Sequence, residues 1–120
     1  MELRMKRAYE PADADDGFRV LVDRLWPRGV SKERAAIDLW AKEVAPTPEL
    51  RTAFHHGGLD WSAFADAYRA ELAANPAVPA LRETLAAHDR VTLVYAAHDE
   101  EHNHALLLRT FLEPGALASG

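Results

Sequence analysis

Two apolar runs and a series of amphipathic segments organise this chain. In FRVLVDRLWPRG, Val20, Leu21, Val22 and Leu25 form a run interrupted by Asp23 and Arg24 and ended by Pro27 and Gly29. That is the pattern of a central strand over residues 19–26 entering a loop. VTLVYAA, residues 91–97, reads as a second strand that runs into Asp99 and a helical pattern. Leu3 to Tyr9 alternates loosely, as a first strand does, and the following EPADADDG is too short to contain a full crossover helix.

Helix signals fill the middle. Ser31 is a cap candidate for SKERAAIDLWAKEVA, where Ile37, Leu39 and Trp40 indicate packing without defining one uninterrupted helix. Thr47 followed by Pro48 is sharper: the threonine oxygen satisfies an exposed amide, and proline at the first helical position has no donor to lose. TPELRTAFHH therefore starts a short helix at Pro48. Asp60 caps the next, in which Trp61, Phe64, Ala65, Tyr68 and Leu72 recur at three- and four-residue steps up to Ala74. Pro76 or Pro79 opens another, with Val78, Leu81 and Leu85 on one face, ending near Asp89. The last is expected over Glu100–Leu112, with Ala105, Leu108 and Leu112 on a common face.

Strand, polar loop and helix in succession predict a small single-domain layered α/β fold, with a mainly parallel sheet and flanking helices. The domain is expected over residues 1–113, with 114–120 as a flexible tail beginning in LEPGALASG. Two strong strands and a third do not make a self-sufficient sheet. The pattern therefore calls for one or two further strands, or for a homodimer that extends the buried surface.

Composition narrows the chemistry. The 120 residues, 48% apolar and 28% charged, suit one domain that buries roughly 65% of its unfolded surface. There is no cysteine, which removes disulfides, thiolate nucleophiles and thiolate metal sites. A net charge of −5 argues against a broad nucleic-acid or anionic-membrane surface. The charge is uneven, however: residues 1–34 carry 8 basic and 7 acidic side chains, so the first third is relatively positive. With no leader-like apolar run and no stretch long enough to cross a bilayer, the expected location is the cytoplasm.

Loops at the carboxyl ends of parallel strands converge on the usual ligand crevice. The first strong strand brings Asp23, Arg24 and Arg28 to that edge; the second brings His98, Asp99, His102 and Asn103. Arg24 and Arg28 can grip phosphate or carboxylate through planar forks, and a histidine can move a proton near neutral pH. His55 and His56 precede Gly57 and Gly58, which permit close approach to a ligand. Trp26 can stack on a planar ligand. Each candidate has a plainer reading: the arginines as partners of nearby acids, Asp99 as a helix cap, Trp26 as core, and the two histidines as packing at a helix end. No metal site is expected, because His102 and His104 point apart on a helix and no HExxH spacing occurs. No cofactor is expected either, since phosphate-loop and dinucleotide fingerprints are missing.

Taken together, DGFRVLVDRLWPRGVSK, LWAKEVAPTPELRTAFHH and VTLVYAAHDEEHNHALLL resemble the DUF488 family of bacterial proteins, in its small YeaO-like subgroup. The resemblance spans nearly the whole chain and implies a small cytoplasmic α/β domain, without assigning a reaction, cofactor or substrate. Within the matching blocks, Arg24, Trp26, Arg28, Trp40, His55, His56, Asp99 and Asn103 carry over as a family site or its support. His98 stands where the family more often has arginine or lysine, and thiol chemistry of cysteine-bearing branches does not transfer to this chain.

These readings converge on an enzyme-like pocket for an anionic or phosphorylated, nucleotide-like ligand. In it Arg24, Arg28 and Trp26 bind, Asp99 and Asn103 orient, and His55 or His56 shuttles a proton with Asp99 in support. A noncatalytic ligand sensor using the same pocket, and a protein-interaction module with structural arginines and no pocket, stay open as alternatives.

Overall fold

The computed structural model describes residues 2–113. Strands β1 (Glu2–Arg7), β2 (Phe18–Leu21), β3 (Leu39–Trp40) and β4 (Arg90–Tyr95) pair in the order β1-β4-β2-β3, every pair parallel. Helices α1 (Lys32–Ala35), α2 (Pro48–His55), α3 (Trp61–Ala74), α4 (Ala77–Ala86) and α5 (His104–Leu112) complete the layered α/β domain. The expected tail, 114–120, lies outside the described residues.

The two strong apolar runs are the two central strands. β4 sits between β1 and β2 with Val91 to Tyr95 buried, as a strand covered on both faces requires. β2 is shorter than the expected 19–26. Its regular pairing stops at Leu21, opposite Val94, and one more amide, that of Val22, reaches the Val94 carbonyl at 3.0 Å. Beyond that Asp23 turns the chain.

The additional strand is β3, hidden inside the stretch that shows no clear helix. α1 lasts four residues, capped by the Ser31 hydroxyl, and ends at Ala36, whose φ of 48° is left-handed. Leu39 and Trp40 then pair with Val20 and Leu21, and a 3-10 turn over Lys42–Val44 follows. α2 begins at Pro48 under the Thr47 cap and α3 at Trp61 under the Asp60 cap, both as the sequence indicates. α5 begins later than expected, at His104 rather than Glu100, because Asp99 draws the amides of Glu101 and His102 into a turn and Asn103 supplies the cap.

The sheet's two faces differ. Leu3, Val20, Val22, Val91, Leu93 and Tyr95 join one core with Phe64, Tyr68 and Leu72 of α3, Leu81 and Leu85 of α4, and Leu108 and Leu112 of α5. The opposite face has a small cluster of Ala8, Leu21 and Val94, against which Trp26, Ile37 and Trp40 pack. Beside it lies a polar lock. Arg19, 3% exposed, pairs with Asp16 and donates to the Ala35 carbonyl at 2.9 Å; Lys6 reaches Asp16 at 3.0 Å, and the Thr92 hydroxyl donates to the Asp16 carbonyl at 2.7 Å. Gly17, at φ 67°, makes this approach feasible, since a side chain there would collide with the Arg90 carbonyl.

Burial by itself would raise the Asp16 pKa. The Asp13 amide and the charges of Lys6 and Arg19 outweigh it and hold the carboxyl below its ordinary 3.8. A depressed folded-state pKa contributes stability above the unfolded value that is lost as pH falls through the folded one. Acid unfolding should therefore gain a component below 3.8 that is absent in Asp16→Ala. That variant leaves the Arg19 charge buried without its partner and should lose about 3–5 kcal/mol in urea denaturation near neutral pH. A loss under about 1 kcal/mol would show that the lock contributes little.

Candidate functional site

Where β2 ends, Asp23 and the carbonyl before it draw four segments together. Asp23 Oδ2 accepts the Ala96 amide of the segment leaving β4 at 2.9 Å, and the Asp23 carbonyl accepts Trp40 Nε1 of β3 at 2.7 Å. From the first residue of α5, His104 Nε2 lies 3.0 Å from the Val22 carbonyl and 3.2 Å from Asp23 Oδ1. Both neighbours are acceptors, so Nε2 carries a proton; it serves the carbonyl, and Oδ1 stays buried without a hydrogen bond of its own. The end of β2 is thereby fixed against its neighbours, and the side chain of Arg24 leaves it in one direction.

Arg24 donates through Nη2 to the Ala45 carbonyl at 3.2 Å and through Nε to that of Pro46 at 3.3 Å. These carbonyls lead straight into α2, whose cap, Thr47, is itself anchored. Its hydroxyl and amide bond Glu71 of α3 at 2.6 and 3.1 Å. Arg24 and α2 consequently face one another across an open cleft of about 610 Å³, lined by Arg24, Leu25, Pro48, Arg51, Thr52, His55 and His56. Arg51 and His55 stand four residues apart and share a helix face.

The cleft is cationic without a counterion. No carboxylate lines it, and among the described residues Arg24, Arg51, His55 and His56 form no ion pair. Partial burial of its ring, followed by the charges of Arg51, His56 and His104, holds His55 below the ordinary histidine value. Leu25, 63% exposed, and Pro48 add apolar wall. Among the described residues no three His, Asp or Glu side chains gather to hold a metal ion, and no helix is long and apolar enough to cross a membrane.

Of the residues singled out in the sequence, the structure brings Arg24, His55 and His56 together. Arg28 is exposed outside the cleft, its carbonyl accepting the Tyr9 hydroxyl at 3.3 Å. Trp26 packs edge-on to Trp40 and donates to the Val30 carbonyl at 2.7 Å, which braces the loop. Asp99 accepts the amides of Glu101 and His102 at 2.9 and 3.0 Å and pairs with the His102 ring at 3.2 Å; those bonds hold its carboxyl below the usual range. Asn103, buried, receives the Leu106 amide and donates to the Asp99 carbonyl. Asp99 and Asn103 thus form a turn and a helix cap and are not among the residues that line the cleft. Sequence reasoning missed Arg51 and Thr52, although the four-residue step back from His55 on a correctly started helix was the available signal.

A family model described as "Inactive DUF488-N3 subclade" matches residues 2–119. The uncharacterized protein YeaO of Escherichia coli (strain K12) is 44% identical over 112 residues, which cover 93% of this chain and 97% of that one. The uncharacterized proteins Mb3100c of Mycobacterium bovis and Rv3073c of Mycobacterium tuberculosis are each 41% identical over 110 residues, 92% of both chains. No solved structure matches.

The convergence at Asp23 has a measurable weight. Asp23→Ala strands the Ala96 amide and should lower stability by about 1–3 kcal/mol, whereas Asn103→Ala, a lost cap, should cost ~1 kcal/mol. Urea midpoints measure both. An Asp23→Ala protein as stable as the parent would refute the anchoring role.

Proposed function

Because the chain belongs to the DUF488 family, we propose that it is a noncatalytic binding module whose cleft receives a small anionic, phosphate-bearing ligand. The observation that carries this reading is a lining of two arginines and two protonatable histidines with no carboxylate, in a protein of net charge −5. Self-repulsion between the Arg24 and Arg51 guanidiniums is relieved by an anion, which favours its selective uptake. Arg24, braced by two carbonyls, and Arg51 supply the guanidinium contacts; Thr52 and the histidines supply further donors. Leu25 and Pro48 offer apolar contact to whatever carries the phosphate.

Two observations favour binding over turnover. The matching family model carries the word inactive in its description. In addition, neither cleft histidine is oriented by a carboxylate among the described residues, the arrangement that acid–base catalysis by histidine usually relies on. Asp99, expected as a catalytic partner, is engaged with its own turn and with His102.

Thermal-shift titration with inorganic phosphate and simple phosphate monoesters, at fixed ionic strength, tests the reading. Saturating ligand at about 100 times its Kd contributes ~2.7 kcal/mol and should raise the melting temperature by several degrees. Arg24→Ala and Arg51→Ala should each weaken binding by about ten- to a hundredfold. No shift with any phosphate compound overturns the proposal. Release of phosphate from a monoester, followed by phosphorus NMR, would overturn its noncatalytic half.

A further inference from the structure

His55 and His56 bring two neutralisable positive charges to a wall that already holds Arg24 and Arg51. Their ring centroids lie 6.4 Å apart, and both side chains face the same cleft. Charged or titratable groups that act on His55 come from several elements. Arg51 precedes it by one turn on α2, His56 follows it, Arg24 enters from the loop after β2, and His104 acts from α5. Every one of these is cationic or able to become so. No carboxylate lines the cleft: Asp23 is turned to the Ala96 amide, Glu71 to Thr47, and Asp99 to its own turn and His102. An empty cleft therefore favours the uncharged imidazole of His55, and a dianion placed beside it reverses that preference.

Resting on the anion-binding reading, we propose that the site takes up its ligand together with a proton: a tetrahedral dianion of the phosphate class binds as His55, with His56 beside it, becomes charged. The proton comes from solvent and settles on an imidazole nitrogen, and the resulting imidazolium donates to an oxygen of the anion. The lowered pKa of the free His55 agrees in sign, since binding then has a proton to add near neutral pH. The cleft thus discriminates by charge. A dianion compensates both the arginines and the newly charged histidine, while a monoanion leaves positive charge uncovered. Affinity rises as pH falls through the histidine range.

Sulfate is the probe that isolates the protein's contribution, because it stays a dianion across the range in which phosphate itself titrates. Isothermal titration with sodium sulfate at constant ionic strength should give a Kd roughly tenfold lower at about pH 6 than at about pH 8. Near neutral pH, repeating the titration in buffers of different ionisation enthalpy should show net proton uptake. His55→Gln and the double variant His55→Gln with His56→Gln should bind more weakly but with a flattened pH dependence. Both residues are exposed, so the variants' thermal melts should match the parent and confirm folding. Equal sulfate affinity at both pH values overturns proton coupling and leaves the anion site standing. A pH dependence that survives in the double variant overturns the assignment to these two residues. No binding of sulfate or phosphate at either pH overturns the anion reading along with it.

Discussion

The carboxylate of Asp23 is the contact on which the carboxyl edge of the sheet depends. Parallel strands leave their last amides and carbonyls facing a loop layer that no ladder satisfies. Here one side chain and its own carbonyl receive an amide from the exit of β4 and an indole from β3, and they meet an imidazole from the start of α5. Each contact ties the end of β2 to a different segment, so together they hold the edge from three sides. Arg24 inherits that order because it is the next residue, and its guanidinium bonds to the Ala45 and Pro46 carbonyls carry it on to α2.

The two faces of the sheet divide the work. The helix layer buries the aromatic and aliphatic stripes of α3, α4 and α5 and supplies most of the apolar core. The other face has only a short helix and loops to cover it, too little apolar surface for a second full core, and it closes around a buried ion pair instead. Such a pair is a poor source of net stability but an exacting one, because each charge is costly without the other. It fixes how the connection after β1 crosses the sheet, leaving the loop after β2 to be tied down by its tryptophans and by Asp23.

Much of this was legible along the chain. β4 and β2 announce themselves as apolar runs, and Thr47–Pro48 and Asp60 mark helix starts whose stripes follow at helical spacing. β3 was not legible because its two residues have no periodicity; they become a strand only by pairing with Val20 and Leu21. The start of α5 was misplaced because Asp99 and Asn103 are both competent caps. Burial of Asn103, and its bond to the Asp99 carbonyl, decide between them. For the candidate site, Arg24, His55 and His56 could be named from the sequence, whereas Arg51 lacked any mark beyond its spacing and Trp26, Arg28, Asp99 and Asn103 turned out to stand outside the cleft lining.

The amino-acid sequence by itself determined the class of fold, the central strands, the helix faces and the exclusion of thiol chemistry, because each follows from local periodicity, capping or composition. Its net charge of −5 hid what mattered for the site. Only the tertiary structure decided that four cationic or protonatable side chains would share a cleft with no carboxylate, since that depends on Asp23 and Glu71 finding partners 73 and 24 residues away along the chain. Pairing preferences are settled by folding, and the charge left over after they are settled is what a ligand meets.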